Sequence, residues 1–177
     1  NSIKQWTTTQ NAVQDSAFMY SNVDGTVNLK IPDNIKSIGA MAFGGILSAT
    51  EAYSPFKNSN VYLPKNLEEY HFNSFGLKTT LNAVSDGTMY YLDNCIIAPV
   101  KITNPISGNY KLRNGTKLLP TGQSSVSVDW DNIWGSSASC SLDLTDTEIE
   151  KIPNYCFSGC VNAADYAQAT AQYPGWF

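Results

Sequence analysis

A single histidine, His71, stands in the 177 residues. Cations are sparse: eleven Lys and Arg against fifteen Asp and Glu, for a formal net charge of −4 and a pI of about 4.8. They are spread singly along the chain. Phosphate recognition needs clustered positive charge, so nucleic acid is a poor partner, and an anionic membrane surface is disfavoured on the same ground. No apolar run approaches the roughly 20 residues that cross a bilayer as a helix. A basic n-region followed by an apolar stretch is also missing. Asn1 opens the chain, the start expected after removal of a leader or an upstream domain.

Catalytic signatures are missing too. There is no Gly-x-Ser-x-Gly, no His-Glu-x-x-His, no phosphate loop and no dinucleotide fingerprint. His71 falls inside a repeated segment and reads as filler or surface rather than as a general base. Glu68-Glu69 and Glu148/Glu150 are candidate acid–base pairs of the kind glycosidases use, yet their register puts them on solvated corners. The four cysteines, Cys95, Cys140, Cys156 and Cys160, have no metal-ligand spacing, since only the last two are close and no His follows them. No metal or cofactor is expected. Charged residues make up 15% of the chain, below the usual value of roughly 25%. Asn, Ser, Thr and Tyr take their place, a profile of an ordered, β-rich, extracellular type of surface.

What is present is a recurring motif, apolar–x–x–apolar–x–x–x–small–Phe. Ile35-Lys36-Ser37-Ile38-Gly39-Ala40-Met41-Ala42-Phe43 is its clearest copy. Leu67 to Phe75 repeats it 32 positions later and Ile149 to Phe157 repeats it 114 later, while Val13 and Ala17-Phe18 form a worn copy 25 earlier. Repetition at such spacing predicts stacked coils, each covering the apolar residues of its neighbours.

A short alternating strand precedes each clear copy. Val27, Leu29 and Ile31 alternate with polar residues before the corner Pro32-Asp33-Asn34; Val61 and Leu63 come before Pro64-Lys65-Asn66; Leu142 and Leu144 come before Thr145-Asp146-Thr147-Glu148. Proline has no N–H to give to a ladder and so stops it. Tyr110, Leu112, Asn114-Gly115 and Leu119 mark a degenerate coil with Ser124 at the Phe position, a gap that either Val126 or Trp130 could fill. The chain thus reads as one repeat domain over 1–177, with coils near 1–26, 27–60, 61–76, 110–140 and 141–160. An insertion over 77–109 contains a β-hairpin, two apolar runs around Asp93-Asn94. The Ala-rich stretch 161–177 is predicted to close the stack with a short helix.

These coils resemble the leucine-rich repeats of the BspA-like type found in bacterial surface proteins. Leu29 through Phe43 and Ile149 through Phe157-Ser158-Gly159-Cys160 carry the resemblance, as does the segment Tyr110-Lys111-Leu112 leading to Gly115-Thr116-Lys117. His71, Pro153 and Ser124 depart from the pattern. The resemblance implies a right-handed, β-rich solenoid with short helical segments, a secreted or cell-surface location, and adhesion to host proteins, glycans or other cells. It brings no catalytic residues.

The leading expectation is therefore a non-enzymatic, exported binding module. A structural spacer within a larger surface protein and a glycan-active enzyme are the alternatives. The segment Val128-Asp129-Trp130-Asp131-Asn132-Ile133-Trp134 holds the candidate ligand-binding residues. Trp130 and Trp134 could stack on sugars or anchor a protein, or instead plug the coil that lacks its Phe. Asp129 and Asp131, with Asn132, could ligate calcium through their oxygens, although no flanking Gly and Glu complete an ion loop.

Overall fold

The computed structural model describes residues 3–5, 8–19, 27–46, 52–53, 56, 58–71, 74–75, 80–100, 108–122 and 140–156. Their strands are short: β1 (Ile3–Gln5), β2 (Ala12–Val13), β3 (Asn28–Lys30), β4 (Ser37–Ile38), β5 (Gly45–Ile46), β6 (Ala52–Tyr53), β7 (Asn60–Tyr62), β8 (Glu69–Tyr70), β9 (Val84–Ser85), β10 (Met89–Leu92), β11 (Cys95–Pro99), β12 (Gly108–Lys111) and β13 (Cys140–Asp143).

Two parallel ladders carry the N-terminal half. β1, β3 and β7 pair in that order, with Leu29 opposite Lys4 on one side and Val61 on the other. β2, β4 and β8 pair likewise, with Ile38 between Val13 and Tyr70. The partners are 25 and 32 residues apart, the spacing of the motif itself. Equivalent Phe rings consequently stack. Phe43 lies 5.2 Å from Phe18 and 5.5 Å from Phe75, with interplanar angles of 9° and 7°, and Phe56 meets its edge at 5.6 Å. Offset and edge contacts at these distances add to the burial energy of the rings. Ser74 precedes Phe75 in a fully buried position, where its hydroxyl donates to the carbonyls of Ile38 and Gly39.

The polar corners repeat as well. Asn34 donates its side-chain amide to the carbonyls of Thr8 and Gln10, and Asn66 donates to that of Asp33. Asp33 accepts from the Lys65 N–H, and this bond, followed by the nearby Lys30, holds its carboxyl below the usual carboxylate range. At the third corner Ser16, Met41 and Tyr155 occupy equivalent motif positions, and all three adopt a positive φ, between 53° and 57°. Left-handed backbone is costly for such residues, so the surrounding contacts must impose it. Gly39 answers a tighter demand, since a Cβ there would lie 2.3 Å from Asp15 Oδ1.

This architecture corrects the expected right-handed leucine-rich-repeat solenoid with short helical segments. The described residues contain no helix, and their strands divide among five small sheets instead of one continuous ladder. Two causes are visible. Corner segments close as single turns, with i→i+3 bonds from Ile35 to Pro32, Leu67 to Pro64 and Thr147 to Leu144, and go no further. The first sheet also ends at β7, where the Asn82 side chain takes the place of a further strand by accepting from the Val61 N–H and donating to its carbonyl. Edge groups satisfied in this way offer nothing to another strand. The closing helix expected within 161–177 lies outside the described residues.

The insertion does form a hairpin. β10 and β11 pair antiparallel around Asp93-Asn94, with β9 on the outer side of β10. Its residues alternate between two apolar clusters. Leu92, Cys95 and Ile97 join the Phe-stack cluster; Met89, Tyr91 and Ile96 join a second one with Tyr110, Leu112, Leu119, Leu144, Ile149 and Cys156. A strand covered on both faces has no polar side to show, which is why Cys95-Ile96-Ile97-Ala98 runs uninterrupted. Beyond it β12 and β13 pair in parallel, from Gly108 opposite Cys140 to Lys111 opposite Asp143.

Candidate functional site

The hairpin is also a wedge. From β7 to β8 the chain turns through the six residues Leu63 to Glu68, whereas β10 to β11 turns through Asp93-Asn94 alone. On one side of the wedge the layers meet directly. Thr121 N–H donates to the Tyr70 carbonyl at 2.8 Å, and the Tyr70 hydroxyl donates to the carbonyl of Ile96 at 2.6 Å and lies 3.3 Å from that of Leu118. On the other side the hairpin tip stands between them. Lys117 N–H donates to the Asn94 carbonyl, and Glu148 N–H donates to that of Thr116. The short tip leaves a cleft of about 950 Å³.

Leu63, Pro64, Lys65, Leu67 and Glu68 form one wall, Asp93, Asn94 and Cys95 the tip, and Lys117-Leu118 with Thr147 to Lys151 the other wall. Its rim is charged with both signs. Glu68 is held by Lys36 at 2.7 Å and Glu148 by Lys117 at 3.4 Å. Lys65, Asp93, Glu150 and Lys151 are exposed and make no ion pair among the described residues. Leu63, Leu67, Leu118 and Ile149 supply apolar surface, and no aromatic side chain among the described residues lines it.

Cys95 reaches this cleft but is suited to packing. Burial pushes its thiol up to about 12, and the Asp93 charge adds to the effect while Lys117 opposes it. The thiolate is the nucleophile, so this sulfur is inert near neutral pH. Cys95 and Cys156 are both buried; Cys156 fills the small position of its repeat.

A second polar feature lies under the other face of the hairpin. Asp86 uses Oδ1 to accept the N–H groups of Thr88 and Met89, each at 2.8 Å, and Oδ2 to accept the Tyr110 hydroxyl at 2.5 Å. The Tyr110 and Tyr91 hydroxyls bond to each other, and the Arg113 guanidinium lies 5.9 Å from the centre of the Tyr91 ring. Burial, above all, raises Tyr91 and Tyr110 above the ordinary phenol value, and Tyr70 likewise. These phenols stay protonated and serve as hydrogen-bond donors. Nothing in the group pairs a nucleophile with a base.

Trp130, Trp134, Asp129 and Asp131, the candidates read from the sequence, lie outside the described residues. Of the carboxylate pairs, Glu68 and both Glu148 and Glu150 line the cleft, whereas Glu69 does not. His71 sits half-buried in the repeat, bridged to Thr121, and is no part of the cleft. Lys65, Asp93, Lys117 and Lys151 line the cleft as well, and the sequence marks none of them as a site residue. Their common signal was the hairpin tip, four residues shorter than the corner it stands beside. No group of three His, Cys, Asp or Glu among the described residues could hold a metal ion. No helix among them is long and apolar enough to cross a membrane. The chain matches no family model, no curated protein and no solved structure.

Proposed function

We propose that this chain is a non-enzymatic binding module of an exported bacterial surface protein, engaging host protein, glycan or another surface partner. One observation carries the reading: an open cleft whose rim offers solvated charges of both signs over an aliphatic lining. Recognition sites combine apolar area with a few placed polar groups. Catalysis asks for more, a base or acid held against a nucleophile or a reacting atom, and the cleft carboxylates Glu68 and Glu148 are already engaged by lysines. The extracellular profile of the composition and the repeat resemblance supply the surface location.

The test is direct binding of the full chain to panels of secreted proteins and of glycans, repeated with Trp130→Ala/Trp134→Ala and with Glu150→Gln/Lys151→Gln. Saturable binding weakened by either pair supports the module. No saturable binding across both panels rejects it in favour of the spacer.

A further inference from the structure

We infer that the cleft beside the hairpin tip takes an extended peptide segment of mixed charge from a partner protein, in preference to a sugar; the inference rests on the binding-module reading. Three properties of the cleft favour peptide. Sugar rings are commonly held by stacking on an aromatic face, and none of the described residues that line the cleft is aromatic. Its aliphatic side chains suit the apolar residues of a peptide instead. Charge complementarity supplies the rest. Asp93 and Glu150 are anions and Lys65 and Lys151 cations, all exposed and without an ion-pair partner among the described residues.

Both signs matter. A highly charged polyanion such as a sulfated glycan would meet Asp93, Glu148 and Glu150, and a polycation would meet the three lysines. Like charges brought together suppress wrong partners and opposite charges fix register. A peptide carrying separated acidic and basic residues answers both sets at once. Asp93 is well placed for this, since its left-handed backbone, φ 52°, holds it at the apex of the two-residue turn.

The experiment uses a random 12-residue peptide library displayed on phage, panned against the full chain, with a glycan array run in parallel. Two variants, Asp93→Asn/Glu150→Gln and Lys65→Gln/Lys151→Gln, each remove the charges of one sign that have no ion pair among the described residues and spare every buried residue; Asn keeps the left-handed turn at 93 accessible. Selected peptides should contain both acidic and basic residues. Each double variant should weaken their binding about tenfold, in the range of exposed interfacial charge pairs, with unchanged melting curves. Removing the peptide's basic residues should weaken binding to the native chain but add little in Asp93→Asn/Glu150→Gln. Selected peptides indifferent to both variants overturn the inference. Binding on the glycan array without peptide binding overturns it too, yet leaves the binding module standing. Silence on both panels defeats the two together.

Discussion

The two apolar clusters that share the hairpin are held together by different means. The N-terminal one is built on stacked rings: Phe43 is fully buried between Phe18 and Phe75, and parallel strands bring each ring over the next. The C-terminal one has no such stack among the described residues. It includes the phenols of Tyr91 and Tyr110, whose hydroxyls bond to each other and reach out to the exposed Asp86, with the Arg113 guanidinium over the Tyr91 ring face. Stacked rings give energy in proportion to area, with little directional demand. A buried hydroxyl chain gives less energy but tolerates only one arrangement, because any unpaired member carries its full desolvation cost. The same repeat can therefore be built by packing in one place and by hydrogen bonding in another.

Breaking the packed side should cost most. Phe43→Ala removes a fully buried ring with neighbours above, below and at its edge, and about 3–5 kcal/mol of stability should vanish in urea titrations. On the bonded side Tyr110→Phe keeps the ring and deletes the hydroxyl between Asp86 and Tyr91; the exposed Asp86 can turn to water, but the buried Tyr91 hydroxyl loses that partner. A loss of about 1–3 kcal/mol is expected by the same measurement. An outcome in the opposite order would mean that the polar group, not the Phe stack, dominates.

Alkali separates the clusters another way. Tyr70, Tyr91 and Tyr110 have folded values above the ordinary phenol value of 10.0. The unfolded chain therefore gives up these protons first. Their contribution is complete below pH 10 and is lost as pH rises beyond it. Absorbance at 295 nm should show these phenols ionising together with unfolding. Two of the three belong to the C-terminal cluster, so Tyr91→Phe/Tyr110→Phe should flatten most of the alkaline loss. The smallest effect is expected at the rim. Lys36 and Glu68 are more than half exposed, and Lys36→Ala should change stability by less than about 1 kcal/mol, an effect that added salt erases.

How much of this the sequence disclosed depends on how local the cause was. The Phe spacing gave the stacking partners, because a ring 25 or 32 residues on falls at the same point of the next layer. Asp93-Asn94 between two apolar runs gave the hairpin. The helical segments and the continuous solenoid were misread. An apolar pair three apart, such as Ile35 and Ile38, suits one turn of helix, but equally a turn from Pro32 that hands Ile38 to a two-residue strand. What stopped the ladder was a side chain, Asn82, imitating a strand from 21 residues away. The cleft was invisible for a similar reason. It depends on the difference in length between two turns, and only assembly places them side by side.

Everything here depends on the hairpin joining both clusters through alternate faces of β10 and β11. Hydrogen exchange read by mass spectrometry on the native chain and on Phe43→Ala tests this most directly. Protection should fall by the same free energy at Leu29 to Ile38 and at Tyr110 to Leu119, because one unfolding event exposes both. Lost protection confined to the first segment, with the second unmoved, would show two independently stable halves and contradict the account.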